Sequence, residues 1–207
     1  MRNVYIHIGL HKTATTSLQR QFFSNISDIT YFNERHKKFA GKMLTHITIQ
    51  DPIYFDAQSI KNYIAKQCTD NKALLISAEA FSGALYAGMG KRGLDHRSAI
   101  VQNLKSTFPN AGVILVIRRQ DQFAASCYRQ YLKSGGTERI EDFYGINSKK
   151  RGIIPLERFM FYKYIQYLVN EFKGKVLILT FEEFNSNRSD FSPNSVIFWR
   201  LILSCHL

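Results

Sequence analysis

Val4-Tyr5-Ile6-His7-Ile8-Gly9-Leu10-His11-Lys12-Thr13-Ala14-Thr15-Thr16-Ser17 sets a short apolar strand directly against a small, hydroxyl-rich loop. A helical pattern follows from about Thr15 to Ser24. Strand, loop and helix in this order build a phosphate cradle, because the N–H groups opening the helix point outward and its dipole favours an anion there. Hydrogen bonds to a charged group contribute roughly 1.5–3 kcal/mol each, so several hydroxyl and amide donors hold a phosphate-like group firmly. The lysine position narrows the chemistry. A Walker A loop has its lysine directly after the second glycine; counted from Gly9, those two places are held by Ala14 and Thr15, and Thr16 fills the final hydroxyl position. The lysine stands earlier, at Lys12, where it can face a group beyond the bound phosphate. That suits transfer of a group from a nucleotide 5′-phosphate better than triphosphate hydrolysis.

A second segment, Gly112-Val113-Ile114-Leu115-Val116-Ile117-Arg118-Arg119, is a continuous β-branched run ending in two arginines. Such a run reads as a strand buried on both faces. A helical pattern follows, with Ala124, Cys127, Tyr128 and Tyr131 on one stripe. Arginine at this place suits phosphate, since its planar fork binds two oxygens at once.

His11-Lys12-Thr13-Ala14-Thr15-Thr16-Ser17-Leu18 resembles the 5′-phosphosulfate-binding loop of sulfotransferases that use 3′-phosphoadenosine 5′-phosphosulfate (PAPS), in which Lys-Thr/Ser-Gly-Thr-Thr-Ser/Trp-Leu is common. Ala14 stands where that family usually has glycine. Strand, Arg118 and Ser126 eight residues later are similar to the family's 3′-phosphate site. The resemblance implies that Lys12, Thr13, Ala14, Thr15, Thr16 and Ser17 surround the 5′ end of the nucleotide and that Arg118 and Ser126 converge on its 3′-phosphate. In Leu75-Ile76-Ser77-Ala78-Glu79, Glu79 is similar to the proposed base of glycan N- and O-sulfotransferases. His11, beside the loop, and His7, within the strand, are its competitors. Sulfuryl transfer of this kind needs PAPS as co-substrate and no metal, and the six histidines lack ligand spacing with cysteines or carboxylates. The implied acceptor is a hydroxyl or amine, with a carbohydrate, acidic or neutral, favoured. A kinase-like P-loop enzyme and a non-catalytic anion- or nucleic-acid-binding protein are the alternatives.

The rest of the chain is consistent with one α/β domain over residues 1–207, three-layered, with a central parallel sheet and a P-loop-like phosphate loop. Its length suffices for a sizeable core. Further strands are expected at Ala73–Ser77 and Lys175–Phe181, and helices at Ile60–Cys68, Ser98–Phe108 and Leu156–Phe172; Asp28–Asp51 has no clear period beyond a short extended piece at Tyr31-Phe32. Strands separated by helices imply parallel pairing. The net charge of +12 implies a polyanionic partner, but the basic clusters are dispersed and no nucleic-acid motif accompanies them, so nucleic acid is not expected. Three scattered cysteines cannot make a disulfide framework. With no signal peptide or membrane-spanning run, a cytoplasmic, bacterial-type enzyme is expected. From about residue 185 the chain departs from the family pattern: a polar stretch leads into the apolar run Val196–Leu203, where cytosolic members carry a Gly-rich basic lid.

Overall fold

In the computed structural model, β1 (Val4–Gly9) lies at the centre of a sheet rather than at its edge. The structure describes residues 2–35, 42–85, 96–146 and 152–186. The apolar run Val196–Leu203, Tyr86, Cys205 and the basic cluster Lys149–Arg151 lie outside them. Beside β1 are β2 (Ile29–Asn33), β3 (Ala73–Ala78), β4 (Gly112–Ile117) and β5 (Val176–Thr180), in the order β2-β3-β1-β4-β5. All four pairings are parallel, and His7 lies opposite Ser77 on one side and Ile114 on the other.

Both faces of the sheet are covered, which is why its inner strands read as unbroken apolar runs. Alternate residues go to opposite cores. Ile6, Ile8, Leu74, Ile76, Val113 and Leu115 join one core, with Ile100, Leu104, Cys127 and Leu168 from the helices. Tyr5, Leu75, Ile114, Val116 and Leu179 join the other, with Leu18, Phe22 and Phe23. These are the three layers of an α/β fold. The helices are α1 (starting at Thr15–Ser17), α2 (Lys42–Ile49), α3 (Ala57–Gln67), α4 (Arg97–Thr107), α5 (Gln120–Lys133), α6 (Ile140–Tyr144), α7 (Phe161–Glu171) and α8 (Phe181–Ser186). Asp56 caps α3, its carboxylate accepting from the Ser59 N–H at 3.0 Å.

Three expectations change. The short extended piece expected at Tyr31-Phe32 is the edge strand β2, which buries only Ile29 and Phe32, but the polar stretch also holds a helix that its sequence shows no period for, α2, which buries Met43 and Ile47. Its threonines and isoleucines have weak helix propensity, and the packing of Met43 and Ile47 into the core beside α4 decides its shape. The helix after Thr15 is α-helical only as far as Ser17, then widens to a π-turn over Leu18–Phe22 and tightens to a 3-10 turn over Phe23–Asn25. The helix expected over Leu156–Phe172 is divided at Met160, whose ψ of 65° is not helical. Phe159 and Phe161 both pack edge-on against Phe123, with ring centroids 5.6 and 5.5 Å away. Residues two apart on a helix do not face the same way, so the helix yields to the ring cluster.

Candidate functional site

The loop after β1, the turn after β3 and Arg118 after β4 meet at the carboxyl edge of the sheet, beside the strand at which the chain's connections change direction. Open α/β sheets bind ligands at this place. The β1 loop is shaped from within. A Cβ on Gly9 would come within 2.5 Å of Thr15 Cγ2, so this strand end has room only for glycine. The Thr13 and Thr15 hydroxyls are buried and donate to the Leu10 carbonyl at 2.6 and 3.2 Å. Lys12 (φ 66°) and Ala14 (φ 59°) occupy the left-handed region, and such alternation curls a backbone into a concavity that favours anions. Thr16 is exposed and Ser17 half-buried. Of the four hydroxyls, these two are open to a ligand, whereas those of Thr13 and Thr15 hold the loop.

Two cations frame this concavity. Lys12 Nζ donates to Gln130 Oε1 at 2.7 Å. Arg118 Nη1 donates to the Lys12 carbonyl at 3.1 Å, and its Nη2 to Gln122 Oε1 at 3.3 Å. The guanidinium also lies over the Phe181 ring, 4.4 Å from its centroid, and its Nε is buried without a hydrogen-bond partner. Gln122, Ser126 and Gln130 are spaced by four along α5, which places half-buried Ser126 on the helix face that carries both glutamines.

The other half of the site is built on Glu79, which opens a 3-10 turn (Glu79–Ser82) directly after β3. His11 Nδ1 lies 3.3 Å from its carboxylate, and His11 Nε2 lies 3.0 Å from the Gly83 carbonyl. A carbonyl oxygen only accepts, so in this contact His11 Nε2 is the donor. Burial pushes the Glu79 carboxyl up, but the hydrogen bond from His11 and the charges of His11, Lys12 and Arg35 outweigh it and hold the group below the ordinary glutamate range. Beneath lies a polar chain. The Glu79 N–H donates to Glu34 at 3.0 Å, and Gln19 donates to Glu34 at 3.4 Å and to Ser77 Oγ at 3.1 Å. Ser77 Oγ in turn meets His7 Nδ1 at 2.7 Å. His7 is fully buried, and burial pulls its imidazole down to about 3 against the opposing effect of the Glu79 charge. It is a neutral core histidine, as its place in the strand allows.

Beside His11 a narrow cavity is lined by Ser82, Arg97, Phe123, Arg158 and Phe161, among others. The buried Arg158 guanidinium donates to the Ala84 carbonyl. Among the described residues, no cluster of histidines, cysteines and carboxylates could hold a metal ion, and no helix is long and apolar enough to cross a membrane. Gln122, Gln130, Glu34 and Phe181 also border the site, and the sequence marks none of them beyond the four-residue spacing of the two glutamines with Ser126.

No protein-family model matches the chain, and no curated protein matches it. Among solved structures, 24 chains match. One is a sulfotransferase from Alicyclobacillus acidocaldarius, which aligns over 91% of this chain and 76% of its own with a TM-score of 0.58 and 16% sequence identity. At that identity the likeness is one of fold.

Proposed function

We propose that this chain is a sulfotransferase, moving a sulfuryl group from PAPS to a hydroxyl or amine of an acceptor, a carbohydrate by preference. The observation that carries the reading is the hydrogen bond from Arg118 to the Lys12 carbonyl, which joins two phosphate-type motifs lying 106 residues apart in sequence. The shared fold with a sulfotransferase supports it. PAPS supplies the sulfuryl group and a nucleotide bisphosphate that leaves. Thr16, Ser17 and the loop amides are assigned to the 5′-phosphate, and Arg118 with Ser126 to the 3′-phosphate. Lys12 stabilises charge growing on the bridging oxygen. Glu79, ionised and hydrogen-bonded to His11, takes the proton from the attacking acceptor. As in phosphoryl transfer, positioning and electrostatics supply most of the rate. The free thiols Cys68 and Cys127 fit a reducing compartment, the cytoplasm.

The test is calorimetry with adenosine 3′,5′-bisphosphate, without magnesium, against ADP and ATP. Micromolar binding selective for the 3′,5′-bisphosphate and lost in Arg118→Ala is expected. Equal or tighter magnesium-dependent binding of ATP overturns the reading in favour of a kinase-like enzyme.

A further inference from the structure

Both cations of the phosphate side rest on amides rather than on carboxylates. Lys12 meets Gln130, and Arg118 meets Gln122. Among the described residues, neither cation has a carboxylate within ion-pair distance. The two glutamines stand two turns apart on one face of α5. Gln130 is itself oriented: its Nε2 donates to Ser134 Oγ at 3.2 Å, and the Ser134 hydroxyl donates to the Gln130 backbone carbonyl at 2.9 Å. That bond commits the amide nitrogen away from Lys12 and leaves Oε1 as the acceptor. Arg118 is fixed on its remaining sides by the Phe181 ring and the Lys12 carbonyl.

We infer that Gln122 and Gln130 are positioning residues that hold Arg118 and Lys12 ready for an incoming anion without neutralising them. The inference rests on the assignment of this loop to a phosphate- or sulfate-bearing ligand. A lysine side chain is long and flexible, and restraining it before binding removes an ordering cost from the binding step. An amide carbonyl can do so while adding no net charge. A carboxylate of the same length would hold the ammonium more tightly, but the ligand would then have to displace that pair and approach a like charge. In a half-buried site this repulsion is weakly screened by salt. Glutamine is therefore the side chain that restrains the cation and leaves its field for the ligand.

Gln130→Glu separates this role from a merely structural one, because it moves stability and affinity in opposite directions. The full-length protein and its Gln130→Glu and Gln130→Met variants are compared by thermal unfolding without ligand, and by calorimetry with adenosine 3′,5′-bisphosphate and with inorganic pyrophosphate. Gln130→Glu is expected to melt no lower than the wild type, since it gains an ion pair with Lys12, and to bind both probes at least tenfold more weakly. Gln130→Met, with neither acceptor nor charge, is expected to lose only a few-fold. Wild-type affinity in Gln130→Glu overturns the inference, and so does a fall in its melting temperature that parallels the loss of affinity. If the wild type binds pyrophosphate but not the nucleotide, the PAPS reading fails and the role of Gln130 is still decided with pyrophosphate. If it binds neither, both fail.

Discussion

The two halves of the site treat charge in opposite ways. On the phosphate side, Lys12 and Arg118 are held by glutamine amides and a backbone carbonyl rather than by a carboxylate within ion-pair distance. On the other side, His11 is pressed against Glu79, and its hydrogen bond together with the charges of His11, Lys12 and Arg35 holds the Glu79 carboxyl below the ordinary glutamate range against the effect of burial. One half therefore holds its cations with neutral acceptors, while the other sets a carboxylate directly against a histidine. A site that brings an anionic donor to a proton-abstracting group needs both arrangements side by side.

The contrast breaks most severely at Lys12. Removing one preorganised electrostatic donor typically costs about 10²–10³ in turnover. Lys12→Ala is expected to lose that much of the PAPS-dependent rate, read as release of adenosine 3′,5′-bisphosphate, and retention of most of the wild-type rate would sink the assignment. A smaller effect is expected on the other side with His11→Ala. Burial alone would push the Glu79 carboxyl up, and the His11 hydrogen bond and charge are the leading effects that bring it down. Without them the Glu79 pKa rises, so the acid limb of kcat/KM, which reports the free enzyme's base, moves to higher pH. An unmoved limb would remove Glu79 from the role of base.

How much of this was legible in the sequence follows the same division. The phosphate side is built largely from contiguous residues: one loop after β1, and Arg118 at the end of an unmistakable buried strand. The carboxyl-edge location of Glu79 was legible too, because β3 ends just before it. Its partners were not. Glu34 follows β2, a short edge strand whose half-buried pattern hardly differs from a loop, and Gln19 is buried inside a π-turn that no local signal announces. Such tertiary polar contacts depend on which side chains the sheet brings together, and the neutral glutamines of α5 look like ordinary surface residues until Lys12 and Arg118 are placed against them. Even the hydroxyls divide this way: the sequence shows four beside Lys12, and only packing shows that those of Thr13 and Thr15 are used on Leu10.

The polar chain beneath Glu79 sharpens the comparison through stability. His7 is neutral in the folded protein, with its pKa lowered by burial to about 3, whereas an unfolded chain binds a proton below an ordinary value of about 6.5. The contribution is present in full above about pH 6.5 and is lost as pH falls towards 3, on the order of 1 kcal/mol per pH unit. Urea unfolding at stepped pH measures it. His7→Gln, which has no group that titrates in that range, is expected to flatten this slope while leaving adenosine 3′,5′-bisphosphate binding at neutral pH within a few-fold. An unchanged slope would show that His7 takes up its proton without unfolding.

The smallest expected effect lies in the backbone. The base side turns through Gly83 at φ 78° and ψ 178°, a region open to glycine at no steric cost. The phosphate side also takes positive φ, but with side-chain-bearing residues, Lys12 at φ 66° and Ala14 at φ 59° in the left-handed helical region. For a residue carrying a Cβ, the left-handed region costs roughly 1–2 kcal/mol, and replacement by glycine returns part of that gain by loosening the unfolded chain, by about 0.4–1 kcal/mol. Ala14→Gly is therefore expected to stabilise the protein by roughly 0.5–1 kcal/mol, a rise in melting temperature of about 1–4 °C for a chain of this size. Ala14 offers a ligand only its backbone N–H, which glycine keeps, so affinity for adenosine 3′,5′-bisphosphate should stay within about twofold of the wild type. A higher melting temperature with a large loss of affinity would mean that the strain at Ala14 shapes the anion cradle, and the phosphate side would then be preorganised by its backbone as well as by its amides.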